Sequence, residues 1–154
     1  MELLEEVRST TYSLNETSLH GTLAFHKTAL SQCSALLECA LCPHRAENIL
    51  LLALLGQELA LQSEKMTKAS RDAVCSGNGG TGESQAATLF GSYTIDTPEE
   101  GEAIMRTLLY VNLKSLMNLI MRLKNMASPE DVHYTIITKT EKKVSELSRE
   151  VNKI

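Results

Sequence analysis

With 154 residues, 43% of them hydrophobic, the chain is long enough for one domain with a self-sufficient core. Aromatics make up only 4% and tryptophan is absent, so leucine, methionine, alanine and valine must fill that core, a palette that suits helices. A net charge of −4 opposes a nucleic-acid footprint built on concentrated lysine and arginine, and the longest apolar run, Ile49 to Leu55, is too short to span a bilayer.

Residues 1–14 place Leu3, Leu4 and Val7 among acids and are expected as a weakly ordered amphipathic segment. Glu2, Glu5 and Glu6 are incompatible with a secretory signal or a basic transit peptide, so the expected location is intracellular and the four cysteines are expected as reduced thiols. Asn15-Glu16-Thr17-Ser18 supplies capping residues for a first long helix running to about Leu41. Its seam is Leu19, Leu23, His26, Leu30, Cys33, Leu37 and Ala40, at alternating four- and three-residue spacing. His26 therefore falls on the buried stripe.

Cys42-Pro43 breaks that helix, because proline disfavours helical geometry in the residue before it and cannot donate a backbone hydrogen bond. The next helix carries Ile49 to Leu55, then Leu59, Leu61 and Met66. Apolar on every side over two turns, it is expected at the centre of the bundle, antiparallel to the first. Residues 69–88, with the run Ser76-Gly77-Asn78-Gly79-Gly80-Thr81-Gly82, are expected as a flexible linker. A phosphate loop is not expected, since no strand precedes the glycines, no Gly-Lys-Ser/Thr follows them and no helix starts on them.

Phe90 to Asp96 is β-prone without a convincing pairing partner, so it is predicted as an extended segment that packs Phe90, Tyr93 and Ile95 onto the bundle. Thr97-Pro98-Glu99-Glu100 then combines a hydroxyl cap, a proline at the first helical position and acids in the first turn, the most strongly marked helix start in the chain. The helix that follows carries Leu109, Leu113, Leu116, Ile120 and Leu123 on one stripe, widened by Met105, Leu108, Met117 and Leu119. Ser128-Pro129-Glu130-Asp131 repeats the same grammar, and Ile137, Thr140, Val144, Leu147, Val151 and Ile154 keep helical phase to the end. The expected fold is all-α, a single domain over 1–154 with about four long helices and a glycine-rich linker.

Three separated stretches, Leu37-Glu38-Cys39-Ala40-Leu41-Cys42, the leucines from Leu50 to Leu55, and Phe90-Gly91-Ser92-Tyr93-Thr94-Ile95-Asp96 leading into a leucine-rich helix, resemble in their order the C-terminal domain of the fungal aflatoxin regulatory protein family. The resemblance spans about residues 18–125. It implies a regulatory or protein-interaction role in fungal secondary metabolism, where this helical region follows a zinc-cluster DNA-binding module. That module needs six cysteines at short spacings with a basic stretch between them. This chain has four cysteines and no such stretch, so no residue is carried over as a DNA contact or a zinc ligand.

Among side chains with chemistry, Cys39, Cys42 and His44 have ligand types for zinc, but two small residues closing a helix end account for them, and neither a metal nor a cofactor is expected. His26 is the oddity of the first seam. Buried, it needs hydrogen-bond partners, for which Tyr93, Tyr110, Asn112 and Gln62 are the candidates. As the wall of an interior ligand site, and the one catalytic candidate, it would be joined by Leu30, Cys33, Leu52, Tyr93, Asn112, Leu113 and Leu116. No serine, histidine and acid triplet can be assembled from local spacing.

Two functions compete on these grounds. The leading one is a noncatalytic regulatory or interaction domain, nuclear in location, with a protein partner and no direct nucleic-acid or membrane contact. The other is a cytoplasmic helical protein that encloses an apolar intermediate and steers its cofactor-free isomerisation or cyclisation by shape and one or two polar groups. The heptad-like last helix either packs back on its own bundle, the preferred expectation, or forms a coiled-coil homodimer.

Overall fold

The computed structural model describes residues 19–39, 46–75, 89–90, 93–94 and 97–153. Four helices dominate it: α1 (Leu19–Glu38), α2 (Ala46–Cys75), α3 (Pro98–Met126) and α4 (Val132–Val151). Between α2 and α3 lie two strands of two residues each, β1 (Leu89–Phe90) and β2 (Tyr93–Thr94), paired antiparallel with Leu89 opposite Thr94 and Phe90 opposite Tyr93. The all-α bundle expected from the helical seams is the observed architecture.

The best-marked boundary behaves as its chemistry requires. The Thr97 hydroxyl accepts from the Glu100 backbone N–H at 3.2 Å, Pro98 opens the helix, and Glu99 and Glu100 sit at the positive end of its dipole. Downstream, Leu109, Leu113, Leu116, Ile120 and Leu123 are all essentially inaccessible. Removing each from water contributes about 1.5 to 3 kcal/mol as an upper estimate.

Helix directions follow from a few cross-links and the reach of the chain. His26 on α1 bonds to α2 at Leu59 and Ser63. Were these helices parallel, Glu38 and Ala46 would be about 40 Å apart at 1.5 Å rise per residue, whereas the connection between them reaches at most about 29 Å fully extended. So α1 and α2 are antiparallel. Asn112 reaches Leu23 and Arg122 reaches Glu38, so α3 runs with α1. The short turn Ala127–Asp131 sends α4 back beside α3, where Lys124 pairs with Glu141, and Lys143 of α4 pairs with Glu64 of α2. The bundle is therefore up-down-up-down, and the α1–α2 and α3–α4 connections share one end.

Within it α2, α3 and α4 pack mutually, while α1 leans on α3 and touches α2 more lightly. The hub is therefore α3, which corrects the expectation that α2 is the central helix. The stripe Ile49, Leu52, Ala53, Leu55 and Leu59 is buried, but Leu50 and Leu51 are each 37% exposed. Uniform apolarity did not mean burial on every side, because α1 covers only one flank. Close approach of α2 to α3 is made at Gly56, where an added Cβ would lie 2.7 Å from Ile120 Cδ1.

Other expectations shift in detail. α1 ends at Glu38, with Cys39 in a bend, rather than at Leu41; Ala40 and the capping cluster 15–18 lie outside the described residues. α2 continues to Cys75, past the expected linker start at 69, because no glycine or proline stands between residue 69 and Gly77. The rest of the expected linker up to 88, and residues 1–14, also lie outside the described residues. In the β-prone stretch Phe90 pairs with Tyr93, finding in Leu89–Phe90 the strand partner that composition did not suggest, while the expected packing of Phe90, Tyr93 and Ile95 onto the bundle lies outside the described set. Finally, α4 starts at Val132. The Asp131 carboxylate accepts from the Ser128 N–H at 3.2 Å, so Ser128–Asp131 forms a turn and not the first helical turn. From there Ile137, Thr140, Val144, Leu147 and Val151 are buried, so the last helix does pack on its own bundle.

A candidate interior site at the α1–α2 seam

His26 is wholly enclosed, as its place on the α1 seam predicts. Its partners are different from those expected. Nε2 lies 3.0 Å from the Leu59 carbonyl oxygen and 3.1 Å from Ser63 Oγ, both on α2. Asn112 instead donates to the Leu23 carbonyl of α1, at 3.5 Å. The reason is local. On α2, Ser63 stands four residues after Leu59 and its hydroxyl donates back to the Leu59 oxygen at 2.9 Å, which places a carbonyl and a hydroxyl together on the face that meets α1. Thr67 repeats the arrangement one turn later, donating to the Ser63 carbonyl at 2.8 Å.

These contacts assign the proton. A carbonyl oxygen only accepts, so Nε2 must carry the hydrogen and Nδ1 the lone pair. Nδ1 is buried and has no hydrogen-bond partner among the described residues. Burial holds the His26 pKa below the ordinary imidazole value, opposed by the bond to Leu59, so the ring is neutral near pH 7.

A serine beside a histidine suggests a nucleophile and its base, but here the polarity is reversed. Nε2 already holds a proton and donates, Ser63 spends its own proton on Leu59, and no carboxylate orients the ring at Nδ1. The pair is a structural cross-link in this state. Cys33 is no better placed to react, since burial pushes its thiol up to about 11 and keeps it protonated.

The remaining members of the sequence-predicted site are brought together in part. Leu30, Cys33, Leu52, Leu113 and Leu116 belong to one contiguous buried cluster drawn from α1, α2 and α3. Asn112 is buried at the same α1–α3 junction, one turn along α1 from His26. Tyr93 lies in β2, and its side chain is outside the described set. Leu59 and Ser63 were missed by sequence reasoning. The available signal was a lone serine in phase with Leu52, Leu59 and Met66 on an otherwise apolar stripe, a place where a hydroxyl must find a partner.

Of the possible zinc set, Cys39 is described while Cys42 and His44 are outside the described residues. Among those described, no group of three histidine, cysteine, aspartate or glutamate side chains is placed to hold a metal. No helix among them is long and apolar enough to cross a membrane. No protein-family model, no curated protein and no solved structure matches the chain.

Proposed function

We propose that this chain is a noncatalytic, all-helical regulatory or protein-interaction domain, of the kind implied by its resemblance to the aflatoxin regulatory C-terminal domain. In this reading it acts in the nucleus of a fungus, within control of secondary metabolism, through another protein and without touching DNA itself. The supporting observation is the contrast between inside and outside. The interior polar groups nearest to chemistry, His26 Nε2 and the Ser63 hydroxyl, are already engaged with Leu59. Meanwhile Leu36, Met121, Met126 and Val132 stay exposed near the end that carries both short connections, Val132 at 79%. Apolar side chains grouped in this way mark surfaces that other molecules cover.

A tethering assay tests the reading. Joined to an unrelated DNA-binding domain, the chain should alter transcription of a reporter, and Met126→Asp with Val132→Asp should remove that effect while His26→Leu retains it. No reporter response, or a response lost only with His26→Leu, would refute it.

One observation favours the second reading, a protein that encloses an apolar intermediate and isomerises or cyclises it without a cofactor. His26 Nδ1 is a buried acceptor with no donor opposite it, which a ligand hydroxyl would satisfy. In that case a thermal-shift screen of apolar metabolites returns a ligand whose stabilisation disappears in His26→Leu.

A further inference from the structure

On α2 the residues facing the core are Ile49, Leu52, Ala53, Leu59, Ala60 and Met66. The opposite side of a helix with 3.6 residues per turn should be polar. Instead Leu50, Leu54 and Leu61 line up along the middle of that outward side. None of the three belongs to the buried cluster: Leu50 is 37% exposed, and Leu54 and Leu61 are half-buried. The same line begins with Glu47 and ends with Lys65 and Lys68, acid at one end and base at the other, with Gln57 and Glu58 at its midpoint.

We propose that this face pairs with the same face of a second copy, the two α2 helices crossing antiparallel about a two-fold axis between Gln57 and Glu58. That axis sets Leu54 opposite Leu61 of the partner subunit and Glu47 opposite Lys68 of the partner subunit, and lays Leu50 against the aliphatic stem of Lys65 of the partner subunit. Each contact occurs twice, as an isologous interface requires. A parallel pairing would instead bring Glu47 against Glu47 and Lys68 against Lys68, so the charge pattern selects the antiparallel one. Lys68 is held by Glu64 at 3.1 Å yet remains 62% exposed, and its ammonium has further hydrogens to offer a second carboxylate. At about 31 Å long and about 10 Å wide by helix dimensions, the face belongs with small, weak interfaces. The proposal does not depend on the regulatory reading.

Sedimentation velocity of the whole chain over a rising concentration series tests this. The expected result is a monomer–dimer equilibrium that Leu54→Glu weakens by at least about tenfold, with helix content unchanged. Glu47→Lys and Lys68→Glu should each weaken the dimer, and the double variant should recover it. A chain that stays monomeric at the highest concentration, a dimer indifferent to Leu54→Glu, or a double variant no tighter than either single one would overturn the proposal.

Discussion

The trio α2–α3–α4 and the first helix, α1, are held to the bundle by different means. Each member of the trio buries an apolar stripe against both of the others, and interhelical pairs such as Lys143–Glu64 and Lys124–Glu141 lie at its margins. α1 has one principal neighbour, α3, and its lighter contact with α2 includes an imidazole bonded to a carbonyl and a serine. An apolar seam brings a helix to the bundle, but directional polar bonds decide how it is seated. The trio should therefore supply most of the stability, and α1 most of its sensitivity to conditions.

The largest test of that division is a cavity inside the trio's hub. Leu113→Ala, at a site with no accessible surface, should cost about 2 to 5 kcal/mol in chemical denaturation, with all four helices lost together. A smaller effect is expected at the α2–α3 approach. Gly56→Ala improves intrinsic helix propensity by about 1 kcal/mol but drives a methyl onto Ile120 Cδ1, the free end of a buried side chain, at a cost of about 1 to 3 kcal/mol, so a net loss of at most about 2 kcal/mol is expected. Adding Ile120→Val, which removes that Cδ1, should return most of it.

The smallest effect at neutral pH, and the sharpest test of the α1 attachment, is His26→Leu. Ser63 still satisfies the Leu59 oxygen, so stability should stay within about 1 kcal/mol of the parent. What changes is the response to acid. The His26 pKa is lower folded than unfolded, so the unfolded chain takes up more protons as pH falls below about 6.5, and stability present above that value is lost on acidification. The Glu64 carboxyl, held low chiefly by its bond to Lys143 and then to Lys68, contributes its own loss only further down, in the carboxylate range. Hydrogen exchange should show α1 amides opening first in the upper window for the parent. If they open together with those of α3, or if the variant retains that acid limb, the contrast between the two regions fails.

Seams were the most readable part of the chain. Leu109 to Leu123, Ile137 to Val151 and Leu23 to Leu37 were placed by spacing because burial and helical period coincide there. The start at Thr97 was readable because its cap bond is local. The position of α2 in the bundle was not: Ile49 to Leu55 looks the same from every side, and which of its leucines are covered depends on where α1 lies. Likewise, the burial of His26 could be read from its phase, but its partners belong to another helix and one of them is a backbone oxygen, which no side-chain pattern announces. The two-residue ladder at Leu89 to Thr94 fell below what β-propensity resolves.

The shared end of the two short connections has a practical reach. It puts Leu19, where the described chain begins, and Val151, where its last helix finishes, at the opposite pole, so a reporter or surface tether joined directly at Leu19 or Val151 approaches from one side. Met126 and Val132 then point away from the attachment, free to meet whatever is offered in solution.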